Sequence, residues 1–220
     1  MEKKTKWMLT ALFLAAELVL YGLILTTAGK TLIWSEFISI VLCFAFALLH
    51  WGKPFMIGGL ALTVCADFCL VVCDPIQQLW GMVFFLGAQT LYAVMLHRQK
   101  LARGLLIARL PLSVAVEFIA VLILGENTDP LALVSVLYYV NLIMNMICAF
   151  TRFREHRLLA IGFVLFILCD TVIGLQVAAG GYLPIPEGSL VHRIIFSGFH
   201  LSWFFYLPSQ VLLALSARKK

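Results

Sequence analysis

Apolar stretches of about 20 residues follow one another along this chain with little between them. They lie at about 7–27, 32–49, 54–73, 79–97, 104–124, 130–150, 158–178 and 191–215. Each reaches or approaches the roughly 20 residues a helix needs to cross a bilayer. In hydrocarbon every backbone polar group needs a partner within the protein, which runs of this length achieve as helices. The 220 residues are 63% hydrophobic, more apolar surface than a soluble domain of this size can bury. The expectation is therefore an all-α polytopic membrane protein with eight transmembrane helices, forming a single membrane domain over 1–220 with no soluble domain left over. The first stretch runs past Leu25 without a small-residue cleavage site, so it reads as a membrane helix and not as a signal peptide.

The breaks carry turn chemistry: Gly29-Lys30, Gly52-Lys53-Pro54, Asp74-Pro75, Asp129-Pro130 and the Gly/Pro-rich run 180–186. Charge sets the orientation. Lys3, Lys4, Lys6, Lys53, Arg98, Lys100, Arg103, Arg152, Arg154, Arg157, Arg218, Lys219 and Lys220 fall on one side, against Lys30 and Arg193 on the other. The positive-inside rule places both termini in the cytoplasm; a bacterial cytoplasmic membrane is the expected location. The net charge of +5 is explained by this flanking pattern, so no nucleic-acid partner is expected. Trp7, Trp34, Trp51 and Trp80 read as interfacial anchors. Of the six cysteines, Cys65, Cys69 and Cys73 share an i, i+4, i+8 stripe that reads as helix packing, and no Cys/His metal spacing occurs.

Two carboxyls interrupt this apolar background. Asp67 lies in ALTVCADFCLVV and Asp170 in GFVLFILCDTVIGL. An acid at the centre of a membrane helix costs at least about 2.5 kcal/mol and marks a functional site by default. Asp67 follows Lys53 by 14 residues and Asp170 follows Arg157 by 13. Both are then roughly 20 Å from the basic edge at 1.5 Å per residue. Two neighbouring carboxyls in low dielectric do not both ionise easily, which yields a proton donor beside an acceptor.

The two halves, about 1–100 and 101–220, align weakly but in order. Glu17 falls on Glu117, Asp67 on Asp170 and Gln89 on His200, at offsets of 100, 103 and 111. Ser39 falls near Asn141 and Cys43 near Asn145. Four helices per half make the repeats parallel, around an axis along the membrane normal. Two roles stay open for Glu17 and Glu117: lining the same cavity, or structural hydrogen bonding. Asn141 and Asn145 join Tyr138 and Cys148 in a polar seam facing the bundle interior. Asn145 reads as interhelical glue, and Asn141 as glue or as a group orienting a carboxyl or water. His200, in the eighth helix, reads as a hydrogen-bonding residue. Arg109 reads as snorkelling to the headgroups, with a lipid phosphate or a carboxylate as the other open partners. No GxSxG, HExxH, P-loop or dinucleotide fingerprint is present, so any chemistry falls to carboxyls, amides and one imidazole.

Three blocks resemble the lysoplasmalogenase family, the bacterial YhhN-like proteins and their animal transmembrane relatives. ALTVCADFCLVV is similar to the family's helix with a small residue before Asp. GMVFFLGAQTLYAVML, which carries Gln89 and Tyr92, is similar to its G-x-x-x-F-x-x-A-H-x-x-Y helix. LLAIGFVLFILCDTVIGLQ is similar to its G-x-x-x-F-x-x-S-D helix. The chain departs from the pattern with Ala66 for Gly, Gln89 for His and Cys169 for Ser, as a divergent member would. The resemblance implies hydrolysis of the vinyl ether bond of lysoplasmalogens, with a lysophospholipid as substrate, a fatty aldehyde as product and Asp67 and Asp170 as the catalytic pair. Glu17, Glu117, Gln89, Tyr92, Asn141, Asn145 and His200 would bind or support. Acid cleavage of a vinyl ether calls for a general acid and a carboxylate, and for no metal or cofactor. A proton-coupled carrier using the same carboxyls is the alternative, because parallel repeats around midmembrane acids are also a transporter design.

Overall fold

The computed structural model describes residues 3–50, 53–98, 103–179, 185–197 and 199–218. Trp51, Gly52, Lys100, the run 180–184, Lys219 and Lys220 lie outside the described residues. The described chain is helical throughout, with no strand. In chain order the helices are α1 (Lys3–Thr26), α2 (Gly29–Leu49), α3 (Pro54–Asp67), α4 (Gln78–Arg98), α5 (Arg103–Leu124), α6 (Pro130–Phe150), α7 (Phe153–Ala179), α8 (Leu190–Ile195) and α9 (Leu201–Ser216). A π-turn, Phe68–Val72, extends α3.

The turn residues act as their chemistry dictates. Pro54 and Pro130 open α3 and α6, where a missing N–H costs nothing. The Asp129 carboxylate caps α6 by accepting from the Ala132 N–H at 2.7 Å. Gly125, with φ +55°, follows the last residue of α5 in the left-handed conformation that suits glycine there.

Seven described helical segments are long and apolar enough to cross a membrane, so the chain is a multi-pass membrane protein. The eighth stretch departs from the expected continuous helix. It divides into six-residue α8 and sixteen-residue α9. Between them the Phe199 carbonyl accepts from the Leu201 N–H at 2.7 Å, and the Ser197 hydroxyl from the Phe199 N–H at 3.4 Å. These local bonds replace the i→i−4 ladder. His200 consequently stands at the N-cap of α9 and not within a helix. Cys69 still interacts with both Cys65 and Cys73, although Cys65 is exposed and Cys73 lies beyond the π-turn.

Six helices close into a ring: α2 packs on α3, α3 on α4, α4 on α6, α6 on α7, α7 on α9, and α9 back on α2. α1 lies against α2, and α5 against α6, outside the ring. Large apolar side chains along both outer helices are exposed, Ile107, Leu110, Leu122 and Ile123 on α5 among them, as lipid-facing surfaces are. The tightest seams use glycine. A Cβ at Gly59 of α3 would overlap the Tyr92 ring of α4, and one at Gly162 of α7 would meet the Ser209 carbonyl of α9 at 3.3 Å. Small residues give such close approaches, and the dispersion contacts that hold membrane helices together. At the basic end, the Lys53 N–H donates to the Ala217 carbonyl (2.9 Å) and Arg218 to the Thr10 hydroxyl (3.3 Å), tying the end of α9 to the starts of α3 and α1.

Candidate functional site

The ring brings two distant acids to one place. Asp67, in the last turn of α3, and Asp170, on α7, line a single cavity of about 260 Å³. Their separation in sequence is 103 residues. They are close enough for the two charges to act on each other. Leu70, Val71, Ile76 and Ile173 give the cavity apolar walls, with Phe85, Trp203 and Tyr206 beside them and Gln78 and Ser202 as further polar groups.

Each aspartate is held by a phenol. The Tyr206 hydroxyl of α9 donates to Asp67 Oδ2 at 2.6 Å, and the Tyr138 hydroxyl of α6 donates to Asp170 Oδ2. The phenols are themselves clamped by rings. Phe85 of α4 lies 5.7 Å from Tyr138 and 5.7 Å from Phe166 of α7, and Phe166 lies 5.3 Å from Tyr206. Trp203 meets Tyr206 edge-on at 4.9 Å. Edge-to-face packing of this kind fixes ring planes, and with them the direction of each O–H. Four ring helices therefore set the positions of two carboxylates.

The backbone contributes as well. Directly after Asp67 the helix widens into the π-turn, in which the Cys73 N–H donates to the Phe68 carbonyl (3.0 Å). Leu70 and Val71 lie within this turn and line the cavity. π-turns within α-helices concentrate at functional sites.

A second polar group lies elsewhere in the bundle. Arg109 of α5 donates through Nη1 to Asn141 Oδ1 and through Nη2 to Asn145 Oδ1, each at 2.8 Å. Asn145 donates in turn to the Gln89 backbone carbonyl (2.8 Å) and to its side-chain oxygen (2.9 Å). Arg109 therefore turns inward to α6 instead of snorkelling. The planar guanidinium matches two amide oxygens one helical turn apart, and hydrocarbon rewards internal partners. Asn141, Asn145 and Gln89 form this network and do not line the carboxyl cavity.

The remaining expected residues lie apart from the cavity. Glu17 accepts from the Cys43 thiol at 3.4 Å, linking α1 to α2. Glu117 is half-buried on α5 beside the Leu137 backbone of α6. Tyr92 is fully buried against Gly59 and Phe163. His200 is half-buried at the α9 cap and does not line the cavity. Among the described residues no three His, Cys, Asp or Glu side chains converge as a metal site.

Sequence reasoning passed over Tyr206, Trp203 and Gln78, which read as ordinary membrane-helix residues until the fold supplies their neighbours. It also passed over Glu36, which is buried on α2 and acts electrostatically on Asp67. The signal for Glu36 was the one that flagged Asp67, an acid inside an apolar stretch.

A profile of the YhhN family matches residues 32–217. No curated protein and no solved structure matches the chain. The match spans six of the seven long apolar segments and both cavity aspartates. With its departures at Ala66, Gln89 and Cys169, the chain belongs to the YhhN family, the lysoplasmalogenase family, as a divergent member.

Proposed function

We propose that the protein is a membrane lipid hydrolase that cleaves the vinyl ether bond of lysoplasmalogens. The observation that carries this reading is the convergence of Asp67 and Asp170 on one apolar-walled cavity. One carboxylic acid transfers its proton to the β-carbon of the vinyl ether, and the π-electrons form the new C–H bond. The resulting oxocarbenium ion is stabilised by the neighbouring carboxylate. That carboxylate then takes a proton from the water that adds to the cationic carbon. The hemiacetal collapses to a fatty aldehyde and a glycerophospho-alcohol. Tyr138 and Tyr206 position the two carboxylates. At about 260 Å³ the cavity is smaller than sites that enclose a whole ligand, roughly 300–1,000 Å³. It suits the reacting segment of a lipid whose chain stays in the bilayer.

The two-fold repeat belongs to the same proposal. Gly59 and Gly162 share the 103-residue offset of Asp67 and Asp170, and each forms a tight seam with the next ring helix. Exchanging α2, α3 and α4 with α6, α7 and α9 leaves the ring order unchanged. In this alignment Gln210, fully buried on α9, and not His200, is the counterpart of fully buried Gln89. α9 then makes an eighth crossing, and both termini share the basic, cytoplasmic face of a bacterial membrane.

The experiment is aldehyde release from a 1-alkenyl lysophospholipid by purified protein in nanodiscs. Wild type is expected to release aldehyde stoichiometrically with the glycerophospho-alcohol. Intact folded protein that releases none would contradict the reading. The carrier alternative draws on the same two carboxyls, because parallel repeats around midmembrane acids are also a transporter design. Proton-driven uptake into proteoliposomes, lost in Asp67→Asn, would favour it.

A further inference from the structure

A second cavity, of about 920 Å³, opens at the basic end of the bundle, where α1, α3, α7 and α9 meet. Lys6, Lys53, Arg154, Arg157 and Arg218 line it. Among the described residues Glu155 is the one acid on its wall, and Arg152 binds that carboxylate as an ion pair. Lys6, Arg154 and Arg157 make no ion pair among the described residues. So many cations around one concavity repel one another unless an anion enters.

The floor of the cavity carries the second observation. His50, at the end of α2, is 9% exposed and lines the cavity. Its Nδ1 faces the Phe46 carbonyl at 3.0 Å, and its Nε2 is buried without a hydrogen-bond partner among the described residues. A buried polar nitrogen left unmatched calls for an explanation, and this one belongs to a residue of the cationic cavity's wall.

We propose that this cavity is a phosphate-binding site, for a phosphate ester carried either by an anionic lipid headgroup or by a soluble phosphorylated metabolite. Arg154 and Arg157 offer forked donors from α7, Lys6 a point charge from α1, and His50 forms part of the wall. Trp7 and Leu215 add apolar wall against which a glycerol or acyl segment can lie. The site is separate from the carboxyl cavity. Arg157 and Asp170 are 13 residues apart on α7. That is roughly 20 Å along a helix, far more than the glycerol carbons that separate a vinyl ether from its phosphate.

The test is thermal unfolding of the full chain in neutral detergent, followed by tryptophan fluorescence. The probes are dihexanoyl phosphatidylglycerol, glycerol 3-phosphate and inorganic phosphate, with dihexanoyl phosphatidylcholine as the zwitterionic control. A saturable rise in Tm is expected with at least one anionic probe. A rise with the lipid alone assigns a headgroup site, and a rise with glycerol 3-phosphate or inorganic phosphate assigns a soluble ligand. The paired variant R154Q/R157Q is expected to weaken the half-saturating concentration at least tenfold, and R154K/R157K to retain most of it. Lys6→Gln, an exposed change that leaves folding intact, is expected to weaken it about threefold. No saturable shift with any anionic probe, or the same half-saturation in Lys6→Gln and R154Q/R157Q as in wild type, overturns the proposal.

Discussion

At the scale of single residues, the two aspartates are defined by what donates to them. Asp67 Oδ2 accepts from Tyr206 and Asp170 Oδ2 from Tyr138, so each carboxylate has one oxygen oriented by a phenol. A hydrogen bond to a charged group contributes about 1.5–3 kcal/mol. Tyr206→Phe keeps the ring packing and removes only that bond. Its expected effect is a fall of about 10- to 100-fold in kcat for aldehyde release, with KM changed far less. Steady-state kinetics on the purified variant check this, and Tyr138→Phe should behave alike. Arg109 makes a separate statement at this scale. It bridges Asn141 and Asn145, two groups with no contact to the carboxyl cavity. Arg109→Ala strands two buried amide oxygens and is expected to cost about 1–3 kcal/mol in stability. A lowered Tm in nanodiscs would show it. Arg109→Lys, which lacks the planar fork, should recover only part of the loss.

At the scale of elements, glycine seams and helix interruptions decide where the acids point. Gly59 lets α4 place the Tyr92 ring where a Cβ would otherwise sit, whereas a Cβ at Gly162 only crowds α9 at 3.3 Å. Gly59→Ala is therefore expected to destabilise by about 1–3 kcal/mol, as overpacking does, and Gly162→Ala by less. Comparing the two thermal shifts checks the order, and Tyr92→Leu should relieve the first. Seven of the eight expected stretches form long apolar helical segments close to their sequence limits, because hydrophobic length is a property of the chain itself. The eighth was misjudged, because Ser197 and Phe199 satisfy backbone groups locally and no hydropathy window registers that. The π-turn after Asp67 was equally invisible, since FCLVV is as helical in composition as its neighbours. Asp67 and Asp170 were legible by their cost in hydrocarbon, and Glu36 was equally so. Tyr206 was not, because a tyrosine in a membrane helix becomes informative only when a ring of helices brings it to a carboxylate. His200 misled, since its place in the expected helix depended on a continuity the backbone lacks.

At the scale of the whole molecule, six helices in a closed ring hold the carboxyl cavity, and α1 and α5 stand outside it as lipid-facing supports. The basic end gathers the starts of α1, α3 and α7 and the close of α9 around a second, cationic cavity. This arrangement places Thr10 and Arg218 on one face. In a cysteine-free background, single cysteines introduced at Lys4 and Arg218 are expected to label from the same side of a sealed vesicle, and one at Gln77 or Glu126 from the opposite side. Labelling of the Lys4 and Arg218 positions from opposite sides would remove the even number of crossings. The central claim concerns the two cavity acids acting together on a lipid. The most direct measurement is aldehyde release from a 1-alkenyl lysophospholipid by wild type, Asp67→Asn and Asp170→Asn in nanodiscs, each verified as folded by its melting curve. The expected result is turnover by wild type and a loss of at least about 100-fold in each variant, the range removed with a general acid or base. Folded Asn variants that release aldehyde at the wild-type rate would contradict it.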